Sequence, residues 1–358
     1  MRNPIAVCLH AINACVVSVP LTLPMQSWAA DECRTVRIGE FGGAPGPAGG
    51  PSRRPEVHLK EAGPHCLAED ARQRKLLNPR TGEEMRTLGG EAVVLIGADG
   101  IRLDLGGHVV SNERSLGYTL IKHYDYQPGR SQIHRFTGTH VRNGRLISPG
   151  SRGVGLRLVS AGVEPNGFSA LAEFPAGTQP VGAFAATSHL VEDLTIQAGY
   201  RAILIDGRNN VIRNNRIVVD SATAILAHGP GIVIENNVIE VKNDLSHFSD
   251  YARKIESKTP FPIRLIQADR AIVRNNEIRL LYPAARGPLP AAIELLQSAD
   301  VLVESNRVEG VGLTVRADSD SSYREIDNQL AVCGPGSFRF LPPDEAEAGH
   351  LPPLPSCR

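Results

Sequence analysis

A short phrase recurs along the chain and always closes on the same kind of turn: VIRNNRIVV (211–219), IVIENNVIEV (232–241), AIVRNNEIRL (271–280) and VLVESNRVEG (301–310). Each copy is an alternating apolar run, a polar dipeptide with Asn in second place, then another alternating run. Strand side chains point alternately to opposite faces, so each run offers one apolar face for burial. One such unit cannot bury that face alone, whereas stacked copies can, and self-similarity of this kind is the signature of a solenoid. A solenoid does its work on a long lateral surface.

The turn accounts for the repeat. A strand bends sharply where one residue adopts the left-handed conformation, which Gly tolerates best and Asn next. Aligned on the second residue of the dipeptide, the column reads Asn215, Asn237, Asn276 and Asn306, with Gly107 and Gly144 in the same place upstream. Leu194, in HLVEDLTIQ, breaks the rule, so its turn is expected to differ. Leu194 to Asn215 is 21 residues and Asn215 to Asn237 is 22; the longer intervals are this basic coil plus insertions. Stacked Asn side chains can also hydrogen-bond from coil to coil.

A second strand follows in each coil: YTLIK (118–122), LRLVS (156–160), AILID (202–206), AILAH (224–228), IRLIQ (263–267) and IELLQ (293–297). Ile, Leu and Val dominate, as suits parallel strands packed on an interior. A coil near 22 residues with two or three strands has no room for a crossover helix. The expected fold is therefore all-β, a single parallel β-helix of about seven coils over residues 90–331, with capping segments at both ends. A β-sandwich with evenly spaced strands is the alternative, and the Asn/Gly column weighs against it.

The ends differ from the middle. Arg2, the mostly apolar run 5–23 and Ser27-Trp28-Ala29 read as a secretory signal over residues 1–29. An uncleaved anchor is the alternative; the run is broken and short for a spanning helix. Residues 30–89 read as an N-terminal linker and cap, with a Gly/Pro-rich stretch at 39–55 and a short helix at LAEDARQRKLL (67–77). Residues 332–358 form a Pro-rich tail, expected to pack across the last coil. Export makes the protein periplasmic or secreted, with no membrane insertion once the signal is removed. Four cysteines remain then, one pair before the coils and one after. Cys33–Cys66 and Cys333–Cys357 is the natural pairing of the three formally open. Lys plus Arg and Asp plus Glu both number 38, so there is no electrostatic case for nucleic acid or an anionic membrane. A monomer is expected.

No nucleophile elbow, zincin motif or P-loop is present. Chemistry has to come from residues that stacking brings together. The ends of the second strands form one column: Lys122, Ser160, Asp206, His228, Gln267, Gln297. Asp206 and His228 are one coil apart and should be neighbours, and a carboxylate beside an imidazole can orient it as base or acid. Arg208 and Arg264 add positive charge nearby. The other end of the same strands carries Tyr200 and Arg201 and faces the insertion 242–261, with Asp244, His247, Asp250, Tyr251, Arg253 and Lys254. Long loops on one side of a solenoid commonly wall a cleft. The plain alternative for both groups is polar residues that meet solvent.

IRLDLGGHVVS and the RNNRI, ENNVI and RNNEI turns resemble the right-handed parallel β-helix superfamily over residues 90–331. That group includes pectate and alginate lyases, polygalacturonases, mannuronan epimerases and the periplasmic β-helix protein of nitrous-oxide reductase maturation. The resemblance implies a right-handed coil and, for an enzyme, an acidic polysaccharide as substrate, attacked by uronate β-elimination or epimerisation. AILID-GRNN and AILAH-GPG occupy the stretch where epimerases carry their acidic, His-containing phrase. By that analogy His228 is the base, Asp206 its orienter and Arg208 or Arg264 the clamp on the substrate carboxylate. Lys122, Gln267, Tyr200, Arg201 and Tyr251 are then candidate substrate contacts. The epimerase Asp-Pro-His-Asp string and the polygalacturonase carboxylates are absent. A non-catalytic glycan- or envelope-binding scaffold is therefore the competing expectation. No cofactor is required and no metal ligands are assigned; calcium stays open, with Asp244 and Asp250 as oxygen donors.

Overall fold

The computed structural model describes residues 33–38, 40–41, 57–73, 81–82, 92–113, 119–123, 136–159, 186–244, 246, 261–281 and 291–331. Among them every helix or strand element is a strand. The strands form two curled parallel sheets, one of eighteen strands and one of nine. The chain visits them in rotation. Arg201–Asp206 lies in the nine-stranded sheet, Val211–Arg213 and Arg216–Val219 in the other, and Ile225–His228 returns to the first beside Arg201–Asp206. The architecture is all-β, parallel and compatible with a β-solenoid.

Like residues stack on like through the interior. Ile203, Ile225, Ile263, Ile293 and Val315 occupy one register position of the nine-stranded sheet. Ile212, Ile234, Val273 and Val303 do so in the facing sheet. All are buried in one continuous core. Burying each such side chain contributes about 1.5–3 kcal/mol, so the alternation seen in sequence is the main reason for stacking.

The turn in the repeat is built one residue earlier than expected. The left-handed residue is the first of the dipeptide: Asn214 (φ 57°), Asn236 (56°), Asn275 (54°) and Ser305 (53°). The second residue points inward. Asn215, Asn237, Asn276 and Asn306 are buried and form a ladder that ends on Asn328. In each rung the side-chain NH2 donates to the next Asn Oδ1 at 3.0 Å. Leu194 does not change the turn. Asp193 holds φ 54°, and the Leu194 N–H donates to Asn215 Oδ1 at 3.1 Å. Only the buried side chain is replaced. Gly144 sits in the same column because a Cβ there would lie 2.3 Å from Leu105 Cβ.

The stack begins before residue 90. Arg34–Val36 pairs with Gly63–Leu67, and Val57–Leu59 heads the nine-stranded sheet. Ala71–Gln73 is a strand paired with Val109–Asn112, which corrects the helix expected over 67–77. Ala71 and Gln73 are buried and Arg72 is exposed, a period of two that leaves no helical face. The Cys33–Cys66 disulfide is present, with the Cα atoms 5.7 Å apart, and ties the first row to the second. A disulfide fits a protein folded in an oxidising compartment. No helix among the described residues is long and apolar enough to cross a membrane. The expected signal, the Cys333–Cys357 pair, the tail 332–358 and Tyr251 lie outside the described residues.

The last described strands carry exposed apolar side chains. Tyr323 (43% exposed) and Leu330 (40%) continue the interior columns of Val301 and Val308, and Leu313 (45%) is the register partner of Ala291.

Candidate functional site

The site is built on the outward face of the nine-stranded sheet. In its strands Ile203 and Ile205, Ile225 and Ala227, Ile263 and Leu265, and Ile293 and Leu295 belong to the core. The residues between them must face outward. They form two rows. One row reads Lys122, Arg157, Leu204, Leu226, Arg264, Glu294, Arg316. The other reads Asp206, His228, Ile266, Leu296.

Asp206 and His228 are register partners on adjacent strands, about 4.8 Å apart along the stack. Both side chains are largely buried, at 5% exposure. Burial pushes the His228 pKa down, and a hydrogen bond with Gln267 partly opposes that. The bond joins His228 Nε2 and Gln267 Oε1 at 3.0 Å. Buried apolar side chains surround the pair on this face: Val159, Leu204, Leu226 and Ile266.

Of the expected column Lys122, Gln267 and Gln297 stand elsewhere, and Ser160 lies outside the described residues. Gln267 is one register step past His228 and shares a turn with Gly229 and Gln297. Lys122 is in register with Arg157 and Leu204, so it belongs to the Arg264 row and lies two coils from Leu204. Aligning strands on their last apolar residue caused these shifts. The strand Thr119–His123 runs one residue past Lys122, and Ile263–Ile266 stops one short of Gln267.

The candidate cations divide. Arg264 makes an ion pair through Nε with Glu294 on the next strand, and its guanidinium lies 5.5 Å from the Phe261 ring centre. Arg316 flanks the same ring at 5.4 Å and is the register partner of Glu294. Burial raises the Glu294 pKa, with Arg264 and Arg316 pulling the other way and Asp318 adding to the rise. Arg208 lies beyond the turn, paired through a backbone bridge with Ala186. Tyr200 and Arg201 sit at the opposite strand end, 1% and 2% exposed. Their side chains stack at 4.1 Å, and Arg201 donates to Ser221 Oγ and the Thr223 carbonyl. They hold the coil together and are not brought to His228. Among the described residues no group of three or more His, Cys, Asp or Glu is placed to hold a metal ion.

Sequence reasoning missed Arg316, Phe261 and Asp318. The signal was available: LTVRA (313–317) follows the Ser305-Asn306 turn as IELLQ follows the Asn275-Asn276 turn, but it begins on an exposed Leu and carries only three apolar residues besides the Arg.

Two other titratable clusters are structural. Glu192 accepts from His140 Nε2 at 2.8 Å and from Arg213 at 2.7 and 2.8 Å. These bonds, that from His140 first, lower its pKa to about 2 against the effect of burial. The row continues with alternating sign through Asp104, Arg142, Glu192, Arg213, Glu235, Arg274 and Glu304. Inside the coil His189 accepts from the Thr139 N–H at 3.2 Å and packs 4.8 Å from the His123 ring. Burial lowers its pKa to about 4.

No protein-family model, curated protein or solved structure matches the chain.

Proposed function

We propose that the chain is an exported right-handed parallel β-helix that acts on an acidic polysaccharide by uronate β-elimination or epimerisation. In this reading each strand of the nine-stranded sheet marks one coil, more than the seven first counted. The observation that carries the chemistry is the Asp206–His228 register pair on an outward face, with burial keeping His228 neutral and able to take a proton.

The step begins with His228 removing the proton at C5 of a uronate. In elimination the C4–O4 bond breaks, a C4=C5 double bond forms, and the leaving oxygen is protonated. In epimerisation a proton returns to C5 on the other face. Either path builds negative charge on the substrate carboxylate, which a guanidinium stabilises. Arg264 and Arg208 are the candidates. Arg264 is the better placed, because it lies on the same face as His228, one coil away.

A second reading is a glycan-binding scaffold that breaks no bond. It is favoured by the ion pair that already engages Arg264 and by the burial of Tyr200 and Arg201. A panel of uronate polysaccharides, with and without calcium, separates the two. Ultraviolet absorbance from an unsaturated product, or a changed epimer ratio, that is lost in His228→Ala supports catalysis. Saturable binding with neither change supports the scaffold.

A further inference from the structure

On the outward face of the eighteen-stranded sheet two rows of side chains cross the same three coils, and they are completed differently. Arg142, Glu192 and Arg213 are register neighbours in the first. Three residues further along each coil, Arg145, Thr195 and Arg216 are register neighbours in the second. The residues that follow them, Leu146, Ile196 and Ile217, lie in the core, so the second row also faces outward. In the first row Glu192 binds Arg213 at 2.7 Å, and Arg142 is held by Asp104 at 2.9 Å. In the second row Thr195 stands where an acid would balance the two arginines, and Val109 and Val238 continue it on either side.

Other arginines of this face are engaged by nearby acids: Arg274 by Glu235 at 2.7 Å, Arg279 by Glu277 at 3.1 Å and Arg307 by Glu309 at 3.0 Å. Among the described residues the guanidiniums of Arg145 and Arg216 and the hydroxyl of Thr195 make no hydrogen bond or ion pair, not even with Asp193 on the turn beside them. Arg145 is exposed, and Thr195 and Arg216 are half-buried. Adjacent strands are about 4.8 Å apart, so the two arginines lie roughly 10 Å apart with Thr195 midway. An arginine stem is longer than one such step, and both guanidiniums can therefore close over Thr195. Brought together there they repel, unless an anion lies between them. A guanidinium presents a planar fork of donors that matches a carboxylate, and the Thr195 hydroxyl adds one more.

We infer that Arg145, Thr195 and Arg216 form an anion-binding site on the sheet that does not carry His228, and that it takes a carboxylate of an acidic polysaccharide. The choice of a uronan carboxylate rests on the proposed function; the anion site itself does not. Its place on the other sheet makes it an anchor for the polymer, away from the residue that would react.

The test is nitrogen NMR of the arginine Nε–H groups in the mature protein at low ionic strength, with the two signals assigned by their loss in Arg145→Gln and Arg216→Gln. Trisaccharides of mannuronate, galacturonate and glucuronate are titrated in, with inorganic sulfate as the small-ion arm. At least one trisaccharide should shift both signals along a single saturating curve. Thr195→Glu supplies the acid that the row lacks. That change, and Arg145→Gln read on the remaining Arg216 signal, should each weaken binding by about tenfold or more. Melting midpoints should stay within about 2 °C of the wild type, because the substituted side chains face outward. Three results overturn the inference: signals that respond to no trisaccharide, inorganic sulfate that saturates them at the same concentration, or a Thr195→Glu protein that binds as tightly as the wild type. His228→Ala should bind here with unchanged affinity. Saturable binding in a protein that turns over no uronan upholds this site and overturns only the reading of His228 as a base.

Discussion

Replacing Asn236 and Asn237 by Gly, one at a time, should give opposite results although the two residues are adjacent and chemically identical. Asn237 is 1% exposed and makes four side-chain hydrogen bonds. Its Nδ2 donates to the Ile212 carbonyl and to Asn276 Oδ1, and its Oδ1 accepts from the N–H and the Nδ2 of Asn215, all at 3.0 Å. Asn237→Gly strands the Asn215 N–H, one Asn215 Nδ2 proton and the Ile212 carbonyl in a dry interior. At about 1–3 kcal/mol for each unsatisfied group the loss is about 2–6 kcal/mol, even with one group rescued by water. Asn236 is exposed and holds φ 56°, where Gly is less strained by roughly 1 kcal/mol, so Asn236→Gly should be neutral or slightly stabilising. Urea unfolding measures both. The Asn237→Gly midpoint should fall with the slope unchanged, and its melting temperature should drop by about 10 °C. The turn read from sequence, with Asn237 as the left-handed residue, predicts the reverse order. Equal losses, or a larger loss at Asn236, would refute the ladder account.

Acid should destabilise the fold in two stages. His189 is held at about 4 by burial and rises to about 6.5 when unfolded, so the unfolded chain binds the extra proton. Its contribution is full above pH 6.5 and is lost as pH falls towards 4, by roughly 3 kcal/mol. Glu192, lowered to about 2, contributes above pH 4.5 and loses that contribution as pH falls through 2. Unfolding free energy measured from pH 8 to 3 should show the first limb in the wild type and lose it in His189→Gln. Arg264→Gln leaves Glu294 buried with one fewer guanidinium, and the Glu294 pKa should rise further, followed by carboxyl NMR titration. His228→Ala should abolish any turnover while the melting midpoint moves by only a few degrees; full activity with a large loss of stability would make it a structural residue. Cys66→Ser should cost about 2–4 kcal/mol under oxidising conditions and nothing beyond the wild type under reducing ones.

The repeat was legible because burial and turn geometry act on short windows. Alternation in VIRNNRIVV fixes which side chains enter the core, and a polar dipeptide between two such runs can only be a turn. The turn was placed one residue late because Asn serves two purposes in adjacent positions. Asn236 tolerates the left-handed backbone, and Asn237 satisfies buried backbone groups; the sequence shows two Asn and does not say which does what. Ser305-Asn306 and Asp193-Leu194 hold the clue, since only the first position varies among residues that tolerate φ near 55°. The strand at Ala71–Gln73 was hidden inside a charged stretch, where Arg72 points to solvent and only two residues of the run are buried. At the site, the Asp206–His228 adjacency followed from a spacing of one coil. Gln267 and Lys122 were misplaced because strand ends do not coincide with register. The Arg264–Glu294 pair joins residues thirty apart across an insertion, and only the pairing of whole strands reveals it.

The central claim is that His228 takes the proton from C5 of a uronate. The direct measurement is to incubate the mature protein with alginate, pectate and glucuronan in heavy water and follow the C5 proton by NMR, because elimination and epimerisation both remove it. The account predicts loss of that signal in at least one polymer with the wild type, and retention in every polymer with His228→Ala. Retention with the wild type across the panel, or loss that persists in His228→Ala, would contradict it.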